Sequence, residues 1–225
     1  MTPRTTAHKA LPLAAPLSSH GLSTPRHLAP AGTRQQILDT ARPIIAGKGF
    51  AAVGLSEILA AAGVPKGSFY HWFRSKEQFG EALLEGHFAV YLHEVDITLA
   101  DPARPARERL LAFFERWHAL QSGGDLRSRC LVVKLSAEVS DLSEPMRAAL
   151  ERGMAQVLAR LADCLADGRA QGEFDVATDP EDAAQDLYQQ WLGATLMSRV
   201  QRRAEPLDRA LARLRQRLSA EQNPA

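Results

Sequence analysis

The sequence predicts an all-α protein in which a small helical head precedes a larger helical bundle. Apolar residues recur at three- and four-residue spacing from Thr33 onward, which is the period of a helix with one buried face. No segment alternates apolar and polar residues as a half-buried strand would. Proline also stands near four of the predicted helix starts, where the first turn tolerates it. These prolines are Pro105, Pro145, Pro180 and Pro206.

Length and composition place the chain among soluble globular proteins. It has 225 residues, of which 45% are apolar and 24% are charged. No run of about 18 apolar residues predicts a membrane span, and Pro12 and Pro16 interrupt the apolar stretch that a secretory signal would need. Two cysteines, Cys130 and Cys164, are too few for a disulfide framework. We therefore expect a cytoplasmic protein without a membrane partner.

Residues 1–30 are predicted to form a disordered basic arm. Five of the thirteen prolines fall within residues 1–32, and no helical period survives there. Residues 1–32 and residues 33–80 each carry a net charge of +3, against +1 for the whole chain, so the remainder is acidic. A tail without a function, or a start codon placed too early, is favoured over an arm that attracts phosphate groups.

The head, at residues 31–91, contains three short predicted helices and the start of a longer one. The first helix begins at Thr33, ends at the glycines at positions 47 and 49, and is expected to kink at Pro43. The second is short, with Ser56 as its N-cap and Gly63 as its end. A third runs from residue 65 or 66 to residue 72. The capping-box pair at positions 75 and 78 starts a fourth helix that reaches about residue 98.

A second domain is predicted at residues 92–221. Its predicted helices each carry an apolar stripe and occupy residues 105–121, 129–139, 143–170, 180–202 and 206–220. The last two are expected to form a homodimer interface with the same helices of a second copy. Their apolar faces consist of Leu187, Trp191, Ala194 and Met197 on one helix, and of Leu207, Ala210, Leu211, Leu214 and Leu218 on the other.

The segment GVPKGSFYHWFRSKEQF at residues 63–79 predicts a helix-turn-helix. Phe69 and Phe73 stand four residues apart and should point together into a small core. The other side then carries polar and basic groups suited to phosphates and base edges. An aromatic-rich core with a solvated polar face is the alternative for any single residue, but the combination favours nucleic acid. The predicted DNA-contacting residues are Lys66, Gly67, Ser68, Tyr70 and His71, with Lys76 as a phosphate clamp at the next helix start.

The head resembles the N-terminal domain of the TetR family over residues 31–91. The resemblance is carried by TRQQIL at 33–38, KGF at 48–50, LSEI at 55–58 and GVPKGSFYHWF at 63–73. It implies a dimeric, all-helical repressor of operator DNA with a ligand-responsive C-terminal domain. Ser56 and Lys76 would then contact phosphates, and residues 66–68, 70 and 71 would enter the major groove. Leu59 departs from the family, which often has alanine there, and this leaves the packing of the two short helices open.

One passage of the second domain resembles the NemR-like electrophile-sensing subgroup of that family. The resemblance is carried by CLVVKLSAEVSDLSE at 130–144, WLGA at 191–194 and EPL at 205–207. It implies that Cys130 is the residue that responds to reactive electrophiles and oxidants. The chemistry agrees, since a predicted helix start and the flanking Arg127 and Arg129 favour the reactive thiolate. An inert core cysteine is the alternative.

Two basic residues are candidate partners of a modified Cys130. The subgroup can place a lysine at the position of Arg199, and arginine is a poor nucleophile, so a covalent nitrogen–sulfur link is not expected. Arg199 would instead lower the pKa of the thiol or bind an oxidised sulfur. Lys134, one turn beyond Cys130, is the other candidate. Cys164 shares a stripe with Val157, Leu158, Leu161 and Leu165 and is expected to be buried.

Aromatic residues of the second domain leave two interpretations open. Phe113, Trp117, Tyr188 and Trp191 are candidates for the lining of a small-molecule pocket, and a non-covalent inducer is the alternative to an electrophile. They are equally suited to the core, and the core is favoured for most of them. His87, His93 and His118 have no metal-ligand spacing, and no phosphate loop or catalytic motif is present, so we expect neither a metal, a cofactor nor an enzyme. A helical enzyme or a protein-interaction module is less favoured.

Overall fold

The computed structural model describes residues 30–123, 131–174 and 178–219, and these residues form nine α-helices and no strand. The predicted all-α class is therefore confirmed. Nearly all of the predicted basic arm, together with Cys130 and its arginine neighbours, lies outside the described residues. The helices are α1 (Pro30–Lys48), α2 (Leu55–Ala62), α3 (Lys66–Trp72), α4 (Lys76–Leu99), α5 (Ala106–Ser122), α6 (Leu131–Leu142), α7 (Glu144–Ala170), α8 (Pro180–Gln201) and α9 (Glu205–Ser219).

The head is built from α1, α2, α3 and the first turns of α4 around an aromatic core. The rings of Phe69 and Phe73 lie 5.1 Å apart, and the ring of Phe79 on α4 lies 5.6 Å from Phe69. All three side chains are buried, as are Ile37 of α1 and Ile58 of α2. The predicted inward orientation of Phe69, and of Phe73 directly after the end of α3, is confirmed. This packing leaves the opposite side of α3 facing solvent.

Two details of the head differ from the sequence prediction. Gly54, not Ser56, is the N-cap of α2: its backbone is extended, its carbonyl accepts from the N–H groups of Glu57 and Ile58, and no side chain takes part. Ser56 therefore lies exposed in the first turn of the helix. In addition, α1 begins three residues earlier than predicted and continues as helix through Pro43.

The turn between α2 and α3 depends on a glycine. Gly63 has φ 64° and ψ 30°, a left-handed conformation that residues with a Cβ adopt at a cost. The N–H of Gly63 donates to the carbonyl of Ala60, and that of Val64 donates to the carbonyl of Leu59. Leu59 itself is buried, so the family-atypical leucine fits between the helices.

The second domain is a bundle of the remaining helices, in which α4 and α7 pack along one another and α7 packs on α8. The residues predicted on α9 for the dimer interface do not form one. They are buried within the protomer, where α9 packs against α5 and α8. Trp191 and Leu187 of α8 are buried as well. The apolar side chains that remain exposed on α8 are Leu196, Met197 and Val200, at 51%, 46% and 71%.

Candidate nucleic-acid interface and effector pocket

The exposed side of α3 carries the predicted DNA-contacting residues. Lys66, Gly67, Tyr70 and His71 are exposed and Ser68 is half-buried. Tyr70 is 55% exposed, which is unusual for a large aromatic side chain and leaves both its ring and its hydroxyl accessible. The same helix buries its other aromatic side into the head. The structure therefore brings all five predicted α3 residues to one outward surface.

Pro65 sets the start of this helix. It occupies the N-cap position with φ −63° and ψ 147°, and its carbonyl accepts a hydrogen bond of 3.0 Å from the N–H of Ser68. A proline ring holds φ near this value in the unfolded chain too, so little further conformational entropy is lost here on folding. Lys66 and Gly67, directly after it, consequently have a fixed position at the tip of α3.

Lys76 is more constrained than the sequence suggested. Its Nζ donates to the carbonyl of Phe50 at 2.8 Å and lies 4.8 Å from the centre of the Phe50 ring. An ammonium has three donors, so this contact leaves others for a phosphate. The predicted cap of α4 is confirmed: Ser75 Oγ accepts from the N–H of Gln78 at 3.1 Å. Gln78 Oε1 in turn accepts from the N–H of Arg74 at 2.7 Å.

A cavity of about 300 Å³ lies among α4, α5, α6 and α8 of the bundle, with Arg42 of α1 on one side. Three of the four predicted aromatic residues line it: Phe113, Trp117 and Tyr188. Trp191 does not, because it is fully buried with its ring stacked 4.7 Å from that of Phe114. The remaining lining residues are Arg42 from α1; His87, Val90, Tyr91, Glu94, Val95 and Thr98 from α4; Arg116, Leu120 and Gln121 from α5; and Val132 from α6.

Polar groups of this cavity were not singled out from the sequence. The Nε of Arg42 is buried and has no hydrogen-bond partner within the described part of the chain. Burial, followed by the charge of Arg42, lowers the pKa of His87 to about 4, so its imidazole is neutral at pH 7. Glu94 and Arg116 form an ion pair of 2.5 Å at the rim. The cavity thus offers an apolar wall together with the Nε–H of Arg42, for which the described residues supply no acceptor, while Nη2 of the same guanidinium pairs with Asp39 at 3.4 Å.

No sequence signal pointed to Arg42 as a pocket residue. It belongs to α1, and its contribution depends on how the head docks on the bundle. The sequence gives His87 no metal-ligand spacing, yet its ring lies parallel to that of Tyr91, four residues later, with centres 6.0 Å apart. That i,i+4 aromatic spacing was the one available hint.

The predicted effector residues fall into two groups. Cys130 lies outside the described residues, and α6 begins immediately after it, at Leu131. Lys134 is half-buried on α6. Arg199 donates to Gln121 Oε1 at 3.1 Å and so joins α8 to the C-terminal end of α5.

Cys164 is buried, as predicted. Its side chain is 1% exposed and its Sγ lies 3.6 Å from the carbonyl oxygen of Ala106. Burial raises the pKa of its thiol to about 11, which keeps it in the unreactive thiol form at pH 7. It is therefore a suitable control for chemistry at Cys130.

Two searches of the described ranges concern other classes of site. No cluster of three or more His, Cys, Asp or Glu side chains within residues 30–123, 131–174 and 178–219 could hold a metal ion. No helix among those residues is long and apolar enough to cross a membrane.

Comparison with known proteins identifies the two domains. The family "Bacterial regulatory proteins, tetR family" matches residues 37–83, and "Tetracyclin repressor-like, C-terminal domain" matches residues 106–214. The HTH-type transcriptional repressor NemR of Escherichia coli is 43% identical over 183 residues, or 81% of this chain and 92% of NemR. The transcriptional regulator AcuR of Cereibacter sphaeroides is 35% identical over 71% of this chain and 73% of AcuR.

Solved structures agree with the sequence relatives. The crystal structure of E. coli NemR in its reduced form superposes with a TM-score of 0.77 at 44% identity, covering 81% of this chain and 95% of that one. The exposed α3 on a buried aromatic core, followed by a helical bundle, defines a helix-turn-helix transcriptional regulator. The chain belongs to the TetR family. It is a repressor of transcription and not an enzyme.

Proposed function

We propose that this TetR-type repressor leaves its operator when a reactive electrophile or oxidant modifies Cys130. The observation that carries the proposal is the position of α6. This helix begins at Leu131, directly after the cysteine, and contacts α1 of the DNA-binding head. A chemical change at Cys130 therefore occurs next in sequence to a helix that contacts the DNA-binding head. The similarity to NemR, which has been crystallised in a form described as reduced, supports redox chemistry in this group.

The chemistry requires only the cysteine thiolate and the effector. With a quinone or an enal, the sulfur adds to the electrophilic carbon, the carbonyl system takes up the electron pair, and a proton from water completes the adduct. With a peroxide, the sulfur attacks one oxygen, the O–O bond breaks, and a sulfenic acid and hydroxide result. Arg127 and Arg129 in the sequence favour the thiolate.

Operator recognition is assigned to the exposed side of the head. Lys66, Gly67, Ser68, Tyr70 and His71 are proposed to enter the major groove, with Ser56 and Lys76 on phosphates. Two heads of a homodimer would occupy successive major grooves about 34–36 Å apart on a near-palindromic site. The exposed apolar side chains of α8, at positions 196, 197 and 200, support an interface between two copies on that face.

Selection of bound fragments from genomic DNA supplies the operator for the first test. Intact-protein mass spectrometry after treatment with 1,4-benzoquinone then reports the adduct, and gel shift reports DNA release. We expect one adduct per protomer and loss of binding in the native protein, but neither in Cys130→Ser. Cys164→Ser should behave as the native protein does. Release of Cys130→Ser from DNA at the native benzoquinone concentration would contradict the proposal.

A second candidate function is repression relieved by a non-covalent inducer. The observation that favours it is the cavity lined by Phe113, Trp117 and Tyr188, beside the Nε of Arg42, for which no described residue is an acceptor. Such a cavity suits a compact, mostly apolar molecule that carries a hydrogen-bond acceptor, and a carboxylate would be the strongest one. Release of DNA without a change in protein mass would favour this candidate over the covalent one.

A further inference from the structure

We propose that Glu138 is the positioning residue that links α6 to the DNA-binding head. Its two carboxylate oxygens accept hydrogen bonds from two successive backbone N–H groups of the turn between α1 and α2. Oε2 accepts from Phe50 at 3.0 Å and Oε1 accepts from Ala51 at 2.5 Å. The residues are separated by 88 and 87 positions in sequence, so this contact joins the second domain to the first. The role of Glu138 goes beyond the proposed function. Only the response of the Glu138 contact to an electrophile rests on that function.

The bonds are of a kind that fixes geometry. An ionised carboxylate that accepts from backbone N–H groups forms shorter and stronger hydrogen bonds than a neutral acceptor does. Because two carboxylate oxygens accept from two adjacent backbone N–H groups, they fix the orientation of the turn, whereas a single hydrogen bond would allow it to rotate. Glu138 is half-buried, so its bonds to the turn compete with less water than those of an exposed carboxylate.

Gly49 shapes the turn to receive this carboxylate. It has φ +99°, which is costly for any residue with a side chain. A Cβ built on it would lie 3.0 Å from Glu138 Oε2, which is tighter than ordinary contact. The backbone conformation therefore favours glycine here, and a side chain would also press on the Glu138 carboxylate.

Phe50 is held from the other side as well. Its carbonyl accepts from Lys76 Nζ at 2.8 Å, and its side chain is 4% exposed. The turn thus lies between a carboxylate of α6 and an ammonium of α4. It leads directly into α2, whose Glu57 forms an ion pair with Lys48 at the end of α1. The position of the helix-turn-helix on the bundle consequently depends on where α6 places Glu138.

Glu138 also stands two helical turns after the start of α6, the end that adjoins Cys130. A shift or rotation of α6 by a fraction of a turn would carry the carboxylate away from its two donors. Loss of these bonds would release the turn and change the orientation of the head. Glu138 is thereby assigned the step between effector chemistry and operator affinity.

Glu138→Ala and Glu138→Gln test the link in the full-length protein, with Asp141→Asn as the matched control. Asp141 is an exposed acid on the same helix, and no described residue forms an ion pair with it. We expect Glu138→Ala to bind the selected operator about tenfold more weakly, since a hydrogen bond to a charged group contributes at least that much. The operator affinity of Glu138→Gln should fall between those of Glu138→Ala and the native protein, because the amide keeps one acceptor oxygen. Asp141→Asn should bind as the native protein does.

A second readout separates positioning from general stability. Hydrogen exchange of the amides of Phe50 and Ala51 should accelerate in Glu138→Ala, while buried amides of α7 keep their native rates. Benzoquinone should accelerate the same two amides in the native protein but not in Cys130→Ser. If Glu138→Ala binds operator natively, or if its loss of affinity accompanies faster exchange throughout the bundle, the assignment is wrong.

The outcomes distinguish this assignment from the electrophile proposal. If benzoquinone fails to release the native protein, the proposed function fails, while the operator affinity of untreated Glu138→Ala still decides the role of Glu138. If Glu138→Ala binds weakly and benzoquinone modifies Cys130 in it at the native rate without further release, both are supported. If benzoquinone lowers the operator affinity of Glu138→Ala by the same factor as that of the native protein, Glu138 does not transmit the signal.

Discussion

Trp117 and Thr195 join α5 to α8 by a buried hydrogen bond. The indole Nε1 donates to Thr195 Oγ1 at 3.0 Å, and that hydroxyl donates to the carbonyl of Trp191 at 2.8 Å. The two side chains are 7% and 1% exposed. Trp117 also lines the cavity, so the bond holds one wall of the pocket in place.

Thr195→Val should therefore destabilise the protein with almost no change in volume. The indole N–H would lose its acceptor in a buried place, which costs about 1–3 kcal/mol of the free energy of unfolding. Chemical denaturation measures the loss. Thr98→Val is the control, because the Thr98 hydroxyl donates to the carbonyl of Glu94 in its own helix and no described residue from another helix bonds it. Equal denaturation midpoints for Thr195→Val and the native protein would show that the bond contributes nothing.

Removing the charge at the tip of α3 should weaken operator binding. Lys66→Ala is expected to reduce affinity about tenfold, and if the lysine contacts phosphate, the slope of log affinity against log salt should fall by about one. Fluorescence anisotropy at several salt concentrations measures both quantities. Arg213→Ala, an exposed charge on α9, is the control and should change neither. An unchanged affinity and slope for Lys66→Ala would remove α3 from the proposed interface.

A charge placed on the exposed apolar face of α8 should prevent dimer formation. Val200→Glu introduces a carboxylate where the proposed interface excludes water, and an unpaired buried charge is strongly unfavourable. Light scattering coupled to size exclusion should report a monomer. Ile97→Glu, at a similarly exposed apolar position on α4, should remain a dimer. A dimeric Val200→Glu would place the interface elsewhere.

Acid should destabilise the native protein through His87. Burial lowers its pKa to about 4 in the folded state, below the ordinary value of 6.5 for an exposed imidazole. Between these values the unfolded chain binds the extra proton, so the free energy of unfolding falls as pH falls from 6.5 towards 4. We expect a loss of about 2 kcal/mol between pH 7 and pH 5 that His87→Gln abolishes. The exposed His93→Gln should keep the native pH dependence, and an unchanged slope in His87→Gln would assign the effect to other groups.

Local patterns predicted most of the fold and the outward side of α3. The four-residue spacing of Phe69 and Phe73 fixes which side of α3 is buried, and so it also fixes which residues face outward. The capping residue at position 75 was recognisable because its bond is made within one turn of helix. Ser56 failed as a cap because the extended backbone at Gly54 supplies the first carbonyl instead.

Contacts between segments distant in sequence could not be predicted from local patterns. An amphipathic stripe predicts that one face of α9 is buried, but it does not say whether the partner is the same protomer or a second copy. The aromatic residues of the second domain raised the same difficulty, since helical spacing does not distinguish Trp191 in the core from Trp117 at the cavity. Arg42 and Glu138 acquire their roles only because the head docks on the bundle.

Titration of the operator complex with benzoquinone shows whether modification of Cys130 releases the protein from DNA. Anisotropy of labelled operator would follow native protein, Cys130→Ser and Cys164→Ser at the same concentrations. Release by more than a hundredfold change in affinity requires only about 3 kcal/mol of coupling. We expect native protein and Cys164→Ser to leave the DNA at about one equivalent per protomer, while Cys130→Ser stays bound. Equal release of all three proteins would contradict it.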